Sequence, residues 1–305
     1  MKRGKAAVPG PFRRAAYSQS RFYPRDDRLL RGFDLEKYSV LMSVYSGEKP
    51  EYLRQSMQSI FDQTVPTDDF VLMCDGPLTP EMDQVIEQMA RDHGGVLRIF
   101  RLDKNGGLAN ALNVGLTKCR NDLVARMDSD DVALPDRCRL QLEAFRDQPE
   151  LAVVGGAIDE FEQSVDHVVS HKDMPQTQEE ILRYARMRNP FNHPTVMYRR
   201  SVVMAAGSYP RNILHEDYAL WGNLLLSGAQ GRNLPQTLCY MRVDNGMYNR
   251  RGGWQYLKLA VALRWSFYRK GLYTFWSFLL VVAGLTVVCL MPMSLRKKTY
   301  RWILR

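Results

Sequence analysis

Three carboxylates within four residues, Asp128-Ser129-Asp130-Asp131, directly follow the apolar run Leu123-Val124-Ala125-Arg126-Met127. Hard oxygen ligands at the end of a β-type run suit a divalent cation, and the carboxyl edge of an α/β sheet is where ligands bind. The chemistry on offer is a divalent cation holding a diphosphate. A solvated acidic turn fits the same letters, as does the helix start at Leu134-Pro135-Asp136, since acidic residues favour that end. A second acidic pair, Glu216-Asp217, opens a stretch with Leu220, Leu224 and Leu225 at helical spacing. A carboxylate there can take a proton from a hydroxyl, or simply satisfy a helix dipole. A further carboxylate, Asp75, follows Phe70-Val71-Leu72-Met73-Cys74 and precedes Gly76-Pro77, as a hydrogen-bond acceptor or as a turn former.

The elements that must hold these groups alternate. Tyr38 to Tyr45 is a short β-type run, and Glu48 to Gln63 has helical spacing at Tyr52, Leu53, Met57, Ile60 and Phe61. Strand Phe70 to Cys74, helix Thr79 to Asp92, strand Val96 to Leu102, helix Leu108 to Thr117 and strand Leu123 to Met127 complete four β-α repeats. This order predicts a doubly wound, mostly parallel α/β sheet. Helix Pro135 to Asp147 and the buried strand Leu151 to Gly156 follow. The pattern then becomes less regular, with a loop from Asp159 to Gln176, a short helix, a strand Thr195 to Tyr198 and a helix His215 to Ser227. Between the third strand and its helix, Asn105-Gly106-Gly107 permits a tight turn whose N-H groups can face an anion, although a plain helix cap uses the same residues. Asn113 on that helix is equally consistent with a contact to a neighbouring loop.

The chain of 305 residues is 45% hydrophobic and 25% charged, enough for one large α/β domain and an appendage. Its formal charge of +9 lies at the ends: residues 1–37 hold ten basic and four acidic residues, and 294–305 hold five basic residues and no acid. Residues 1–37, rich in Arg, Pro, Gly and Ser, read as a basic flexible leader. They contain no continuous apolar stretch of the kind a signal peptide needs. The five cysteines are scattered and odd in number, which suggests neither a disulfide framework nor a zinc site and fits a reducing cytoplasm. Trp254 to Lys270 mixes aromatic and basic residues as an interfacial helix does, and Gly271 to Leu295 is a run of 25 residues without charge. About 20 apolar residues suffice to cross a bilayer. Crossing would carry Arg296, Lys297, Lys298, Arg301 and Arg305 outward, against the positive-inside tendency, so a peripheral or re-entrant segment on the cytoplasmic face is favoured. A single crossing and a helix pair buried on the domain or in a dimer are the alternatives.

Taken in order, Ser39 to Tyr45, Cys74-Asp75-Gly76, Asn105 to Gly115, Ala125 to Asp131, Asn192-His193-Pro194-Thr195 and Glu216 to Trp221 resemble glycosyltransferase family 2, the inverting GT-A enzymes, over residues 38–250. The resemblance implies a Rossmann-like GT-A domain at 38–250, between the leader and a membrane-associating helical tail at 251–305. It implies a nucleotide-sugar site at Val44, Tyr45, Asp75, Asn105, Gly107, Asn113, Arg126 and Asp128, with Asp75 on the base. Asp130, with Asp128, would hold Mn2+ or Mg2+. Asp217 would be the catalytic base and Glu216 would orient it or the acceptor, while His193, Trp221 and Arg242 would lie on the acceptor side. Arg250 and Arg251 are further phosphate-binding candidates in a basic, aromatic stretch. The Arg-Met-Asp-x-Asp-Asp wording and the basic apolar tail look most like bacterial enzymes that add glucose or galactose from a UDP-sugar to GlcNAc-diphosphoundecaprenol in O-antigen or capsule assembly. Every catalytic candidate precedes the tail, so the domain and its anchor read as separable.

Two other classes compete. A sugar nucleotidyltransferase needs a Gly-rich loop with Arg and Lys after the first strand, where Tyr45-Ser46-Gly47-Glu48-Lys49-Pro50 stands instead. A non-catalytic membrane-bound binding protein would not need Asp128, Asp130 and Asp217. No aromatic and basic nucleic-acid motif occupies the core.

Overall fold

The computed structural model describes residues 35–211, 213–243 and 253–292. Most of the expected leader, the stretch with Arg250 and Arg251, and the basic residues from 296 onward lie outside the described residues. Strands β1 (Tyr38–Val44), β2 (Asp69–Cys74), β3 (Leu97–Arg101) and β4 (Leu123–Asp128) pair in parallel in the order β3-β2-β1-β4. Parallel pairs require crossovers, supplied by helices α1 (Pro50–Phe61), α2 (Pro80–Asp92) and α3 (Leu108–Leu116). Because helices cover both faces, β1 and β2 are almost wholly buried and their side chains sort with period two. Val40, Met42, Phe70 and Leu72 join Leu53, Met57 and Ile86 in one core. Leu41, Val71 and Met73 join Ala111, Leu112 and Leu116 in the other.

The second half of the sheet is mixed. It comprises the short β5 (Val132–Ala133), β6 (Leu151–Phe161), β7 (Val168–Lys172), β8 (Met197–Arg199) and β9 (Gln230–Arg242), continuing from β4 in the order β8-β6-β9-β5. Strand β8 is antiparallel to both β4 and β6, while β6 and β9 run parallel. Helices α4 (Arg137–Asp147), α5 (Gln178–Ala185), α6 (Arg200–Ala205) and α7 (Glu216–Leu226) complete this half. The segment expected to be a loop, Asp159 to Gln176, contains a hairpin in which β7 pairs with the end of β6. Its residues are largely exposed and carry no apolar alternation, so backbone pairing makes the strand. Strand β9 was not foreseen because Pro235 interrupts it, and Pro is disfavoured inside strands. A register shift between Gly156 and Ala157 carries the pairing from Leu234 to Thr237 and takes Pro235 out of the ladder.

The tail forms two helices, α8 (Trp254–Arg269) and α9 (Phe275–Leu290), separated by a turn at Gly271. Thr274 caps α9 by accepting a hydrogen bond from the Ser277 N-H. The uncharged run is thereby split, and α9, 16 residues long, spans about 24 Å against the roughly 30 Å of a bilayer core. Among the described residues, no helix is long and apolar enough to cross a membrane. Nor is the pair detached from the domain. Leu263, Phe267, Leu272 and Tyr273 share a third apolar cluster with Tyr218 and Ala219 of α7.

Candidate active site

Strand register assembles the first part of the site. Ser43 of β1 sits level with Met73 of β2 and with Asp128 of β4, so Val44, Asp75 and Asp128 emerge together at the carboxyl edge. Val44 is buried there and Tyr45 is half exposed. Asp75, only 4% exposed, donates its N-H to the Val44 carbonyl at 2.8 Å. Its carboxylate accepts from the Gly106 N-H at 2.8 Å and the Gly107 N-H at 2.9 Å. The anion faced by those loop amides is therefore Asp75 itself. Gly76 makes this approach possible: it sits at φ +88°, and a Cβ there would fall 2.6 Å from the Asn105 nitrogen. An ionised carboxylate has about four acceptor sites, so two remain to Asp75 for a donor such as a base N-H. Asn105 is exposed and its side chain accepts from Gly107 N-H at 3.2 Å. Asn113 is committed elsewhere, its amide donating to the Tyr209 carbonyl at 2.8 Å and accepting from the Tyr209 N-H at 2.9 Å.

The acidic loop after β4 is held from several sides. Residues 126 and 128 share one face of β4, and the buried Arg126 guanidinium forms a two-pronged ion pair with Asp128, itself 31% exposed. Arg126 Nε has no hydrogen-bond partner among the described residues. Ser56 of α1 donates to the Asp128 carbonyl at 2.6 Å, and Ser129 donates to Glu48 at 3.2 Å. Burial, then the charges of Asp128 and Glu48, push the Asp130 carboxyl up to about 7. Burial, then the charges of Asp130 and Asp128, raise Asp131 as well, and its carboxylate accepts from the Arg242 N-H at 2.8 Å. Arg242, expected on the acceptor side, clamps this loop. Its guanidinium donates to the Asp130 carbonyl at 3.0 Å and to Gln55 at 2.7 Å, and lies over the rings of Tyr52 and Phe161.

Carboxylates that crowd one another at neutral pH fit a divalent cation, which relieves the repulsion that raises Asp130. Among the described residues no three acidic, His or Cys side chains converge as a self-sufficient metal cage. Mg2+ and similar hard cations need only one or two carboxylates when phosphate oxygens complete the shell. Asp130 and Asp128 are the residues that would supply them.

The second acidic set also feels the Arg126 charge. Asp217 is partly buried at the start of α7, and that burial raises its carboxyl above the usual range. The opposing influences include the Arg126 charge and a hydrogen bond from Asn189 at 2.5 Å. Burial likewise raises Glu216, with Asp217 adding to the effect. The residue before them, His215, has left-handed backbone angles, φ 60° and ψ 57°, and bonds Tyr256 of α8 at 2.8 Å. His193 bonds the Tyr209 hydroxyl at 3.0 Å, and burial next to Arg126 pushes its imidazole well below the usual value, leaving it neutral. Trp221 is fully buried and meets His193 edge to face, so it backs the histidine and presents no surface of its own to an acceptor.

Residues 39–207 match the model of Glycosyl transferase family 2. The chain belongs to glycosyl transferase family 2. It is 40% identical over 226 residues to the amylovoran biosynthesis glycosyltransferase AmsE of Erwinia amylovora, covering 74% of this chain and 84% of that one. It is 34% identical over 272 residues to the UDP-Gal:alpha-D-GlcNAc-diphosphoundecaprenol beta-1,3-galactosyltransferase of Escherichia coli, covering 89% and 98%. In fold it is similar to the mannosyltransferase PcManGT from Pyrobaculum calidifontis in complex with GDP-Man and Mn2+, with a TM-score of 0.60 at 15% identity over 91% of this chain and 79% of that one. The GT-A expectation for the fold holds.

For a family 2 glycosyltransferase, the geometry adds four residues that the sequence reading overlooked. Glu48 had the only available signal, an acid in the short connection after β1. Asn189 donates to Asp217 from 28 residues away, and His215, next to Glu216, bonds Tyr256 from 41 residues away, through contacts that no periodicity encodes.

Proposed function

We propose that this glycosyltransferase moves a hexose, with inversion, from UDP-galactose or UDP-glucose to a lipid-linked GlcNAc-diphosphate acceptor in the assembly of a bacterial surface polysaccharide. The observation that carries the mechanism is the convergence of two acidic sets, Asp128-Asp130 and Glu216-Asp217, on the buried Arg126. The substrate class follows from the Escherichia coli galactosyltransferase, which this chain matches over almost its whole length.

In this reading Asp75 accepts a hydrogen bond from the nucleotide base while it holds the Gly106-Gly107 turn. Asp130 and Asp128 would hold Mn2+ or Mg2+, an ion that would supply positive charge to the diphosphate leaving group. Arg126 holds Asp128 in its two-pronged ion pair and has its Nε-H left for a further acceptor. Asp217 removes the proton from the acceptor hydroxyl as that oxygen attacks the anomeric carbon, and a single displacement inverts the configuration. A raised carboxyl is a stronger base than an ordinary one, nearer the optimum for proton transfer at neutral pH. Asn189 orients it. The outward faces of α8 and α9 carry Trp254, Leu259, Trp265, Trp276 and Leu280, exposed beside Lys258, Arg269 and Lys270. Such a surface suits in-plane attachment to the cytoplasmic face of an anionic membrane, where a lipid-linked acceptor resides.

The test is incubation of the purified protein with a panel of UDP- and GDP-sugars and a synthetic GlcNAc-diphospholipid, read by mass spectrometry. The expected result is one added hexose from a UDP-sugar, abolished by EDTA and restored by Mn2+ or Mg2+. Transfer by exhaustively stripped protein at the full rate, or addition to free sugars but never to the diphospholipid, would overturn the reading.

A further inference from the structure

The helix that bears the Glu216-Asp217 pair is gripped by the tail along its length. At its start, His215 Nε2 bonds the Tyr256 hydroxyl at 2.8 Å, the two rings meeting edge to face. One turn on, the Tyr218 hydroxyl meets the Tyr273 hydroxyl at 2.7 Å and its ring packs edge-on against Phe267. At Gly222 the Phe267 ring comes so close that a methyl group there would fall inside it. On the outer side Lys270 donates to Asn223 at 2.8 Å. These contacts belong to α8 and the turn after it, so the segment with the exposed apolar face is also the clamp on α7.

The clamp matters most at His215. A non-glycine residue in the left-handed region is strained and persists only where its surroundings hold it. Releasing the imidazole would let the peptide before Glu216 relax and turn the first two residues of α7, which carry the acidic pair. A displacement of about 1 Å at a reacting group can cost a hundredfold in rate.

We propose that Tyr256 and His215 are positioning residues for the acidic pair, so that the tail is part of the catalytic centre as well as a candidate membrane contact. The inference rests on the reading of Asp217 as the base.

Tyr256→Phe keeps the aromatic packing and removes one hydroxyl. Its kcat should fall about tenfold, with the KM for the UDP-sugar and the unfolding midpoint nearly unchanged, as expected when a group contributes only in the transition state. His215→Ala should fall at least as far. His215→Gln, which keeps a polar atom near the Nε2 position at the same backbone angle, should recover most of the loss. The double variant Tyr256→Phe/His215→Ala should lose less than the two single losses combined, since the two residues share the Nε2–hydroxyl bond. Asp217→Asn, measured in parallel on a soluble acceptor, separates the two ideas. If Asp217→Asn is inactive while Tyr256→Phe turns over within about twofold of the parent, the positioning role fails and the base survives. If Asp217→Asn is itself active, the base assignment falls, and the inference with it. A loss in Tyr256→Phe matched by an equal loss for His215→Gln and a lowered unfolding midpoint would also overturn it, marking the contact as structural.

Discussion

The proposed donor edge and the proposed acceptor edge of the site are built in different ways. Val44, Asp75 and Asp128 are delivered by the parallel ladder of β1, β2 and β4, whose register leaves each strand end little freedom. Asn189, His193, Tyr209 and the Glu216-Asp217 pair come from irregular segments and a helix start, held by a few side-chain bonds or by contacts with the tail. A ladder distributes its stability over many backbone hydrogen bonds, whereas a side-chain bond can be removed singly. Changes at the acceptor edge should therefore damage chemistry more than folding. At the donor edge, the two should separate only where a carboxylate is held against its own preference.

Asp130 is such a carboxylate, and its loss should have the largest effect. Asp130→Asn is expected to lower turnover by about a thousandfold or more, within the range by which electrostatic groups act on transition states. Its carboxyl is raised to about 7, so the ionised form destabilises the metal-free fold. That contribution is favourable below the ordinary carboxylate value and is lost as pH rises through about 7. At pH 8 without metal, the variant should thus melt no lower than the parent. A large drop in the unfolding midpoint by calorimetry would break the contrast.

Asp217→Asn should come next, with kcat reduced about a hundred- to ten-thousandfold and donor affinity preserved. Donor binding measured by titration calorimetry checks this. If affinity collapses while turnover persists, Asp217 belongs to the donor edge instead.

Asp75→Asn probes the ladder side. Replacing one oxygen by an NH2 sets it against a glycine N-H, and losing a charge-assisted bond to buried donors costs about 1–3 kcal/mol. The unfolding midpoint should fall and the KM for the donor should rise about tenfold, a difference worth about 1.4 kcal/mol. An unaltered midpoint would mean that the Gly106-Gly107 turn holds without its carboxylate.

Asn189→Ala should have the smallest effect. Its hydrogen bond favours ionised Asp217, so its removal should raise that carboxyl further and move the acid limb of the kcat profile to higher pH. Turnover should fall several-fold near neutrality and recover on the alkaline side. A profile that drops uniformly at all pH values would assign Asn189 to packing.

The same division decided what could be read beforehand. Strands and helices of the donor half announce themselves through periods of 2 and about 3.6, and the acidic loop follows its strand directly. The sequence also displays Glu216-Asp217 at a helix start. It does not display the partners of Asn113 or Arg242, which lie 96 and at least 79 residues away. Both side chains were expected to meet substrate, and both hold protein. Strand β7 lacks apolar alternation, and β9 hides behind Pro235. In the tail, an apolar helix has the same composition whether it faces lipid or protein, so only the packing of Phe267 against Tyr218 reveals that tail and domain share a core.

The tie between Asp75 and the Gly106-Gly107 amides has a consequence for how a nucleotide arrives. The turn is already closed by two bonds from a buried carboxylate, so no loop has to be ordered around the incoming base. Donor association should then be a one-step process whose observed rate rises linearly with concentration and shows no plateau, and stopped-flow traces should contain no slow isomerisation after the encounter.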